Sequence, residues 1–212
     1  MTPAELNAEL TAQLHSLLSD VGFAKKRKCI LKRKVNECEQ SFSFSFTRER
    51  GVPGNMYSLG ATMSFSFPDV DKLTSRFMGD EYDAKWPTAV KPFYLVVPNS
   101  HFYSFKYCAD EPLSDFTKKL SDDFHFYALS FYESYDTLSK LEDYFNQSPD
   151  NINLPKGFRI VRSNKFGNGC WCCKAAVLCV LEKWDKVKQY IDETDKLLPE
   201  QRARISEYIT NS

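Results

Sequence analysis

Cys170, Cys172 and Cys173 lie in the run Cys170-Trp171-Cys172-Cys173, whose outer pair has the spacing of a redox dithiol. A helical pattern begins at Lys174, and a thiol at a helix start is acidified by the helix dipole, so a reactive or redox cysteine is one chemistry the run could support. Cys179 adds a fourth thiol within ten positions, which makes a thiolate zinc site a second possibility. The context opposes both. A dithiol fold carries strands and a cis-proline after its motif, whereas only helical patterns follow here and the next proline is Pro199. Tetrahedral zinc sites come as two spaced pairs, and Cys172 and Cys173 point to different sides of the helix start. Small buried thiols packing a long helix are the simpler reading, with no metal or cofactor implied.

Lys25, Lys26, Arg27, Lys28, Lys32, Arg33 and Lys34 put seven basic residues into ten positions, the concentrated positive stretch of the chain. Such a hairpin could track phosphates, with Lys25, Lys26, Arg27, Lys32 and Arg33 as the contacts to nucleic acid. Glu37 and Glu39 close it, and lysines also protect an exposed edge strand from pairing with another chain; that reading is preferred. Residues 110 to 150 are the counterweight, with ten acids against three lysines, an asymmetry that can steer a charged partner.

His15, His101 and His125 share no spacing, and Asp69 and Asp71 stand where a helix start explains them. No G-x-S-x-G, P-loop, G-x-G-x-x-G or H-E-x-x-H occurs, so catalysis has no anchor in the sequence. The stretch from Gly79 to Lys91 reads as a long loop, and long loops are disproportionately functional. Trp86 at its tip, with Asp83 and Glu81, is the expected partner contact; the competing expectation is that Trp86 folds back as a plug over the sheet.

The elements that must position these residues follow from patterning. Leu6, Leu10, Leu14, Leu17, Leu18 and Val21 recur at helical intervals behind Thr2, Pro3 and Glu5, which predicts an N-capped helix stopping at Gly22. Ser41-Phe42-Ser43-Phe44-Ser45-Phe46 alternates strictly, so Phe42, Phe44 and Phe46 share one buried face of a strand running from Gln40 to Arg48. Strands are also expected over Lys28 to Val35 and Met56 to Phe67, with a hairpin of Phe93 to Val97 and His101 to Tyr107. Helices are expected over Asp69 to Met78, from Ser114 onward along the stripe Phe116, Leu120, Phe124 and Leu129, over Tyr135 to Phe145, Lys174 to Leu197 and Glu200 to Thr210. A short strand is expected at Phe158 to Arg162. Strands clustered early and helices late predict an α+β fold: an antiparallel sheet of about five strands, helices on one face and a helical C-terminal segment.

At 212 residues one domain is expected, with an internal hinge at 146 to 156 before a helical extension over 157 to 212. Lys plus Arg and Asp plus Glu are 28 each, so no bulk field favours nucleic acid or a membrane surface. Seven cysteines, an odd number behind an N-terminus without signal-peptide character, predict reduced thiols in the cytoplasm.

The opening Asp20-Val21-Gly22-Phe23-Ala24-Lys25-Lys26, then Ile30-Leu31-Lys32-Arg33-Lys34 and the Phe-rich strand to Arg48, resembles an uncharacterised bacterial domain-of-unknown-function family. In that family, too, a helix exits through Gly-Phe-x-Lys-Lys into a hairpin. Phe126-Tyr127-Ala128-Leu129-Ser130-Phe131-Tyr132 and Leu138 to Tyr144 resemble its second half, departing at Ser130, where members commonly carry Pro. The likeness covers Leu6 to Phe145. It implies a small cytoplasmic α+β protein with an immunity or partner-binding role and supplies no catalytic residues.

Together these observations predict a noncatalytic protein-interaction module, immunity-like or adaptor, that binds a protein partner. The alternatives are nucleic-acid binding through residues 25 to 34, and a thiol redox enzyme or metal site at Cys170 to Cys173.

Overall fold

In the computed structural model, which describes residues 2–51, 55–79, 87–101, 105–147, 159–160 and 169–212, helix α1 spans Pro3–Leu18. It starts where the sequence requires. Thr2 accepts from the Glu5 amide while the Glu5 carboxylate accepts from the Thr2 amide at 2.7 Å, a closed capping box with Pro3 in the first turn. It ends at Leu18 and is closed by a turn through Gly22, whose φ of 82° needs no Cβ clearance, with the Phe23 amide returning to the Leu18 carbonyl.

The described chain divides into two units, Met1–Val35 with Glu39–Ser64 and Lys91–Ser134, and Asn36–Cys38 with Phe65–Val90 and Tyr135–Ser212. Most of the expected hinge at 146 to 156 lies outside the described residues.

In the first unit the strands are β1 (Ala24–Arg27), β2 (Ile30–Val35), β3 (Cys38–Arg48), most of β4 (Met56–Ser66) and β6 (Lys106–Cys108), in the order β1-β2-β3-β4 with β6 also on β4. β1 pairs antiparallel with β2 through Ala24↔Lys32 and Lys25↔Leu31, and β4 with β6 through Tyr57↔Tyr107. The strand expected from Lys28 begins only at Ile30, because Cys29 turns the chain at φ 63°, with its amide held by the Thr11 hydroxyl at 3.1 Å. Phe42, Phe44 and Phe46 are buried as the alternation demands, and so are Leu6, Leu10, Leu14 and Leu18 of α1. A further aromatic layer completes this core. Phe124 meets Phe42 at 4.9 Å and Phe23 at 5.2 Å between ring centres, and Phe93 meets Phe105 at 5.2 Å. On the opposite face hydroxyls pair instead, Ser41 with Ser64 at 2.7 Å.

The hairpin expected across Pro98-Asn99-Ser100 is not formed. β5 (Ala89–Pro92) ends at Pro92 and the chain enters a 3-10 turn over Phe93–Leu95, closed by the Val96 amide on the Phe93 carbonyl. β6 then pairs with β4, the partner its Tyr107 packs beside. Beyond it, α3 (Leu113–Asp123), a π-helical turn (Phe124–Ala128) and α4 (Leu129–Glu133) form one continuous helical stretch.

The second unit contains α2 (Pro68–Met78), α5 (Leu138–Gln147), α6 (Gly169–Val180), α7 (Trp184–Glu193), α8 (Pro199–Thr210) and strand β7 (Arg159–Ile160), paired antiparallel with β5 through Ala89↔Ile160. α6 is the central helix: Ala175, Ala176, Val177, Leu178 and Cys179 are all buried, and its closest helical neighbour is α2. The long helix expected from Lys174 to Leu197 is two helices. Glu182 adopts φ 55°, and the Lys183 amide returns to the Leu178 carbonyl at 3.0 Å, a Schellman-type stop made without glycine.

The architecture is α+β, an antiparallel sheet with a helical C-terminal segment, and among the described residues no helix is long and apolar enough to cross a membrane.

Candidate functional site

Trp86, Asp83 and Glu81 lie outside the described residues. The basic stretch divides into two populations. Lys25, Lys26 and Arg27 are exposed along β1, the edge strand, and Lys32 pairs with Glu39 at 3.8 Å. Arg33 departs from the phosphate-contact expectation, because it shares the inward face of β2 with Leu31. Its Nε donates to Gln40 Oε1 at 2.6 Å, one Nη donates to the Val21 carbonyl at 2.9 Å, and the guanidinium sits 5.0 Å from the Phe23 ring and 5.9 Å from the Tyr132 ring. It locks the end of α1 to the sheet.

None of the seven cysteines is joined in a disulfide. Cys172, Cys173 and Cys179 are buried on α6, and Cys170 is half-buried at its start. Burial pushes the Cys170 thiol up to about 11 and those of Cys172 and Cys179 up to about 12, the reverse of what a helix start does to an exposed thiol. A reactive cysteine in this run needs an exposed thiol, whereas Cys172 and Cys173 are buried and Cys170 is half-buried. Among the described residues no group of three or more His, Cys, Asp or Glu side chains is placed to hold a metal ion.

Asp69 and Asp71 also separate. Asp69 is exposed in the first turn of α2, where an acid suits the helix dipole. Asp71 is buried, and its carboxylate accepts from the hydroxyls of Thr88, at 2.7 Å, and Ser66. Thr88 in turn accepts from the Phe67 amide at 2.9 Å, so the carboxylate clamps the entry to α2. The α2 surface further lines a cavity of about 490 Å³ with Lys72, Arg76, Trp184 and Tyr208, in which Arg76 is already stacked at 5.1 Å over Tyr208.

A surface of a different character is built on the α3 to α4 stretch. In the π-helical turn the Leu129 amide reaches back five residues to the Phe124 carbonyl, so the turn holds one residue more than an α-helix would. Phe124 and Ala128 face the core, and Phe126 is thrown outward, 77% exposed. His125 steadies the turn. Its Nδ1 lies 2.8 Å from the Ser121 carbonyl, which fixes the proton on that nitrogen, and its Nε2 lies 3.5 Å from Asp20.

Beside Phe126 on the same turn, Tyr127 lines a cavity of about 600 Å³ bounded by Val97–Ser100, β6 and α3. Glu111, Asp115 and Asp123 contribute carboxylates to it, and Lys106 and Lys119 ammonium groups. Burial holds the Asp123 carboxyl above its ordinary range, Lys119 working against this and Asp122 adding to it. Sequence reading missed this place, although a signal was present: the stripe Phe116, Leu120, Phe124 continues to Leu129 after a step of five, which no α-helix makes.

No protein-family model, curated protein or solved structure matches the chain.

Proposed function

We propose that the chain is a noncatalytic protein-interaction module, of the immunity or adaptor kind, that engages its partner through the surface of α3 and the π-helical turn. The observation that carries this is Phe126, a large aromatic side chain 77% exposed on a π-helical turn whose next residue lines a cavity. Exposed aromatics of this kind are the usual anchors of interfaces, and π-helical turns are frequent at functional positions. Exposed acids on the same segment of chain, Asp110, Glu111, Asp115 and Asp122, favour a partner of basic character. The resemblance of residues 6 to 145 implies the same role. A cytoplasmic setting is supported by an odd set of seven cysteines, none of them joined in a disulfide.

The groups best suited to chemistry are engaged in holding the fold, which supports a binding role over a catalytic one. Asp71 clamps α2, Arg33 clamps α1, and Cys172 and Cys179 of α6 are buried with their thiols pushed up. The test is a peptide-library selection on the immobilised full chain with counter-selection on Phe126→Ser. Peptides that bind the native chain and lose about 2 kcal/mol or more on the variant, with its melting temperature unchanged, are the expected result. A selection that returns no Phe126-dependent binder overturns the reading.

A further inference from the structure

We propose that the cavity beside Phe126 is a socket for a lysine or arginine side chain of the partner, an inference that rests on the interaction surface proposed above. The volume of about 600 Å³ is ample for one long side chain. Its chemistry selects the charge. Glu111, Asp115 and Asp123 face a space in which Lys106 is engaged by Glu49 at 3.2 Å, leaving Lys119 as the remaining ammonium among the lining residues. Lys119 stands four residues from both Asp115 and Asp123 on one helical face, and this one ammonium against three lining carboxylates leaves the balance acidic.

The walls suit a cation on an apolar stem rather than a bare ion. Phe105, Phe116 and Tyr127 line the same space, and Phe116 is fixed there by Phe46 and Tyr107, at 5.5 and 5.6 Å between ring centres. Aromatic faces attract lysine and arginine heads, while their methylene stems cover apolar surface. A metal ion would want several oxygens converging on one point, and no such group exists among the described residues. An anionic side chain would face the carboxylates of Glu111, Asp115 and Asp123, and a purely apolar one would leave the half-buried Asp123 carboxyl uncompensated. The π-helical turn links socket and anchor, because Tyr127 and Phe126 are adjacent and diverge into cavity and solvent.

Capped arginine (the N-acetyl, N-methylamide) and its capped citrulline counterpart differ by the guanidinium charge and little else. Each is titrated into the full chain in the millimolar range and followed by amide NMR. Capped arginine is expected to shift the amides of Asp115, Asp123 and Tyr127, and capped citrulline to leave them in place. Asp123→Asn is expected to weaken the response roughly tenfold, and Lys119→Gln, which removes the competing ammonium, to strengthen it. Equal responses to the two probes, no response at these amides, or unchanged affinity in Lys119→Gln overturns the socket, the last holding even where Asp123→Asn fails to fold. Phe126-dependent peptides that contain neither lysine nor arginine would keep the interaction surface and overturn the socket alone.

Discussion

The phenol of Tyr132 donates to the main-chain carbonyl of Ser41 across 2.6 Å, joining α4 to β3 over 91 positions of sequence. Tyr132 is fully buried, and its ring lies 5.8 Å from Phe23 and 6.2 Å from Phe124. Tyr132→Phe keeps the packing and removes the bond, so it is expected to cost about 1 to 2 kcal/mol of stability. Tyr132→Ala adds a cavity and is expected to cost about 3 to 5 kcal/mol. Urea unfolding of the two variants beside the native chain separates the contributions, and equal losses would show that the hydrogen bond adds nothing.

Arg33 and Lys26 are both basic residues of the hairpin and should behave in opposite ways. Arg33→Lys loses the forked geometry that reaches Gln40 and the Val21 carbonyl together, and a loss of roughly 1 to 3 kcal/mol is expected. Lys26→Gln on the exposed edge should change stability by no more than about 0.5 kcal/mol. Thermal melts decide it. A silent Arg33→Lys would mean that the inward clamp carries no energy.

Glu142 gives the second unit a pH dependence of definite sign. It is 5% exposed, and burial pushes its carboxyl up, yet hydrogen bonds and charge from Lys183, and from Lys186 at 3.0 Å, outweigh burial and hold it below its ordinary range. A carboxylate lowered on folding stabilises the protein above its unfolded pKa, and that contribution fades as pH falls toward the folded one. Denaturant midpoints should therefore drop between neutral and acid pH. Glu142→Gln should flatten the drop and cost roughly 1 to 3 kcal/mol at pH 7, between the scales of exposed and buried pairs. A variant with the native pH slope would assign the slope to other groups.

The thiols of α6 should resist modification. With Cys172 and Cys179 pushed up to about 12, little thiolate exists near neutral pH, and both are sterically covered. Iodoacetamide labelling read by mass spectrometry is expected to reach them at rates limited by unfolding, rising sharply in urea. Fast native labelling of Cys172 would restore the reactive-cysteine reading.

Much of this architecture is written locally in the chain, and the parts that are not have identifiable reasons. The Thr2 to Glu5 capping box and the Ser/Phe alternation are short-range patterns, and both appear in the structure as read. The misread hairpin after Phe93 involves strands of only three or four residues, whose pairing is chosen by distant partners on β4 and β7 rather than by their own sequence. The stop at Glu182 escaped because a left-handed residue other than glycine leaves no compositional mark. Arg33 could have been placed by its period-two relation to Leu31, had its charge not suggested solvent. Phe126 and its cavity were legible only in the five-residue step from Phe124 to Leu129, a break in rhythm rather than a motif.

That step has a consequence for how the chain tolerates changes in length. One residue more than an α-helix turns everything after it by about 100° relative to everything before, since each residue advances a helix by that angle. The π-helical turn is thus a phase setter between α3 and α4. Deleting a single residue within Phe124–Ala128 would leave a smoother helix with every side chain from Leu129 onward rotated away from its present neighbours. Tyr132 would swing off Ser41, and the outward aromatic would lose its bearing. Point substitutions at Phe126 are mild by comparison: in this segment the count of residues matters more than their identity.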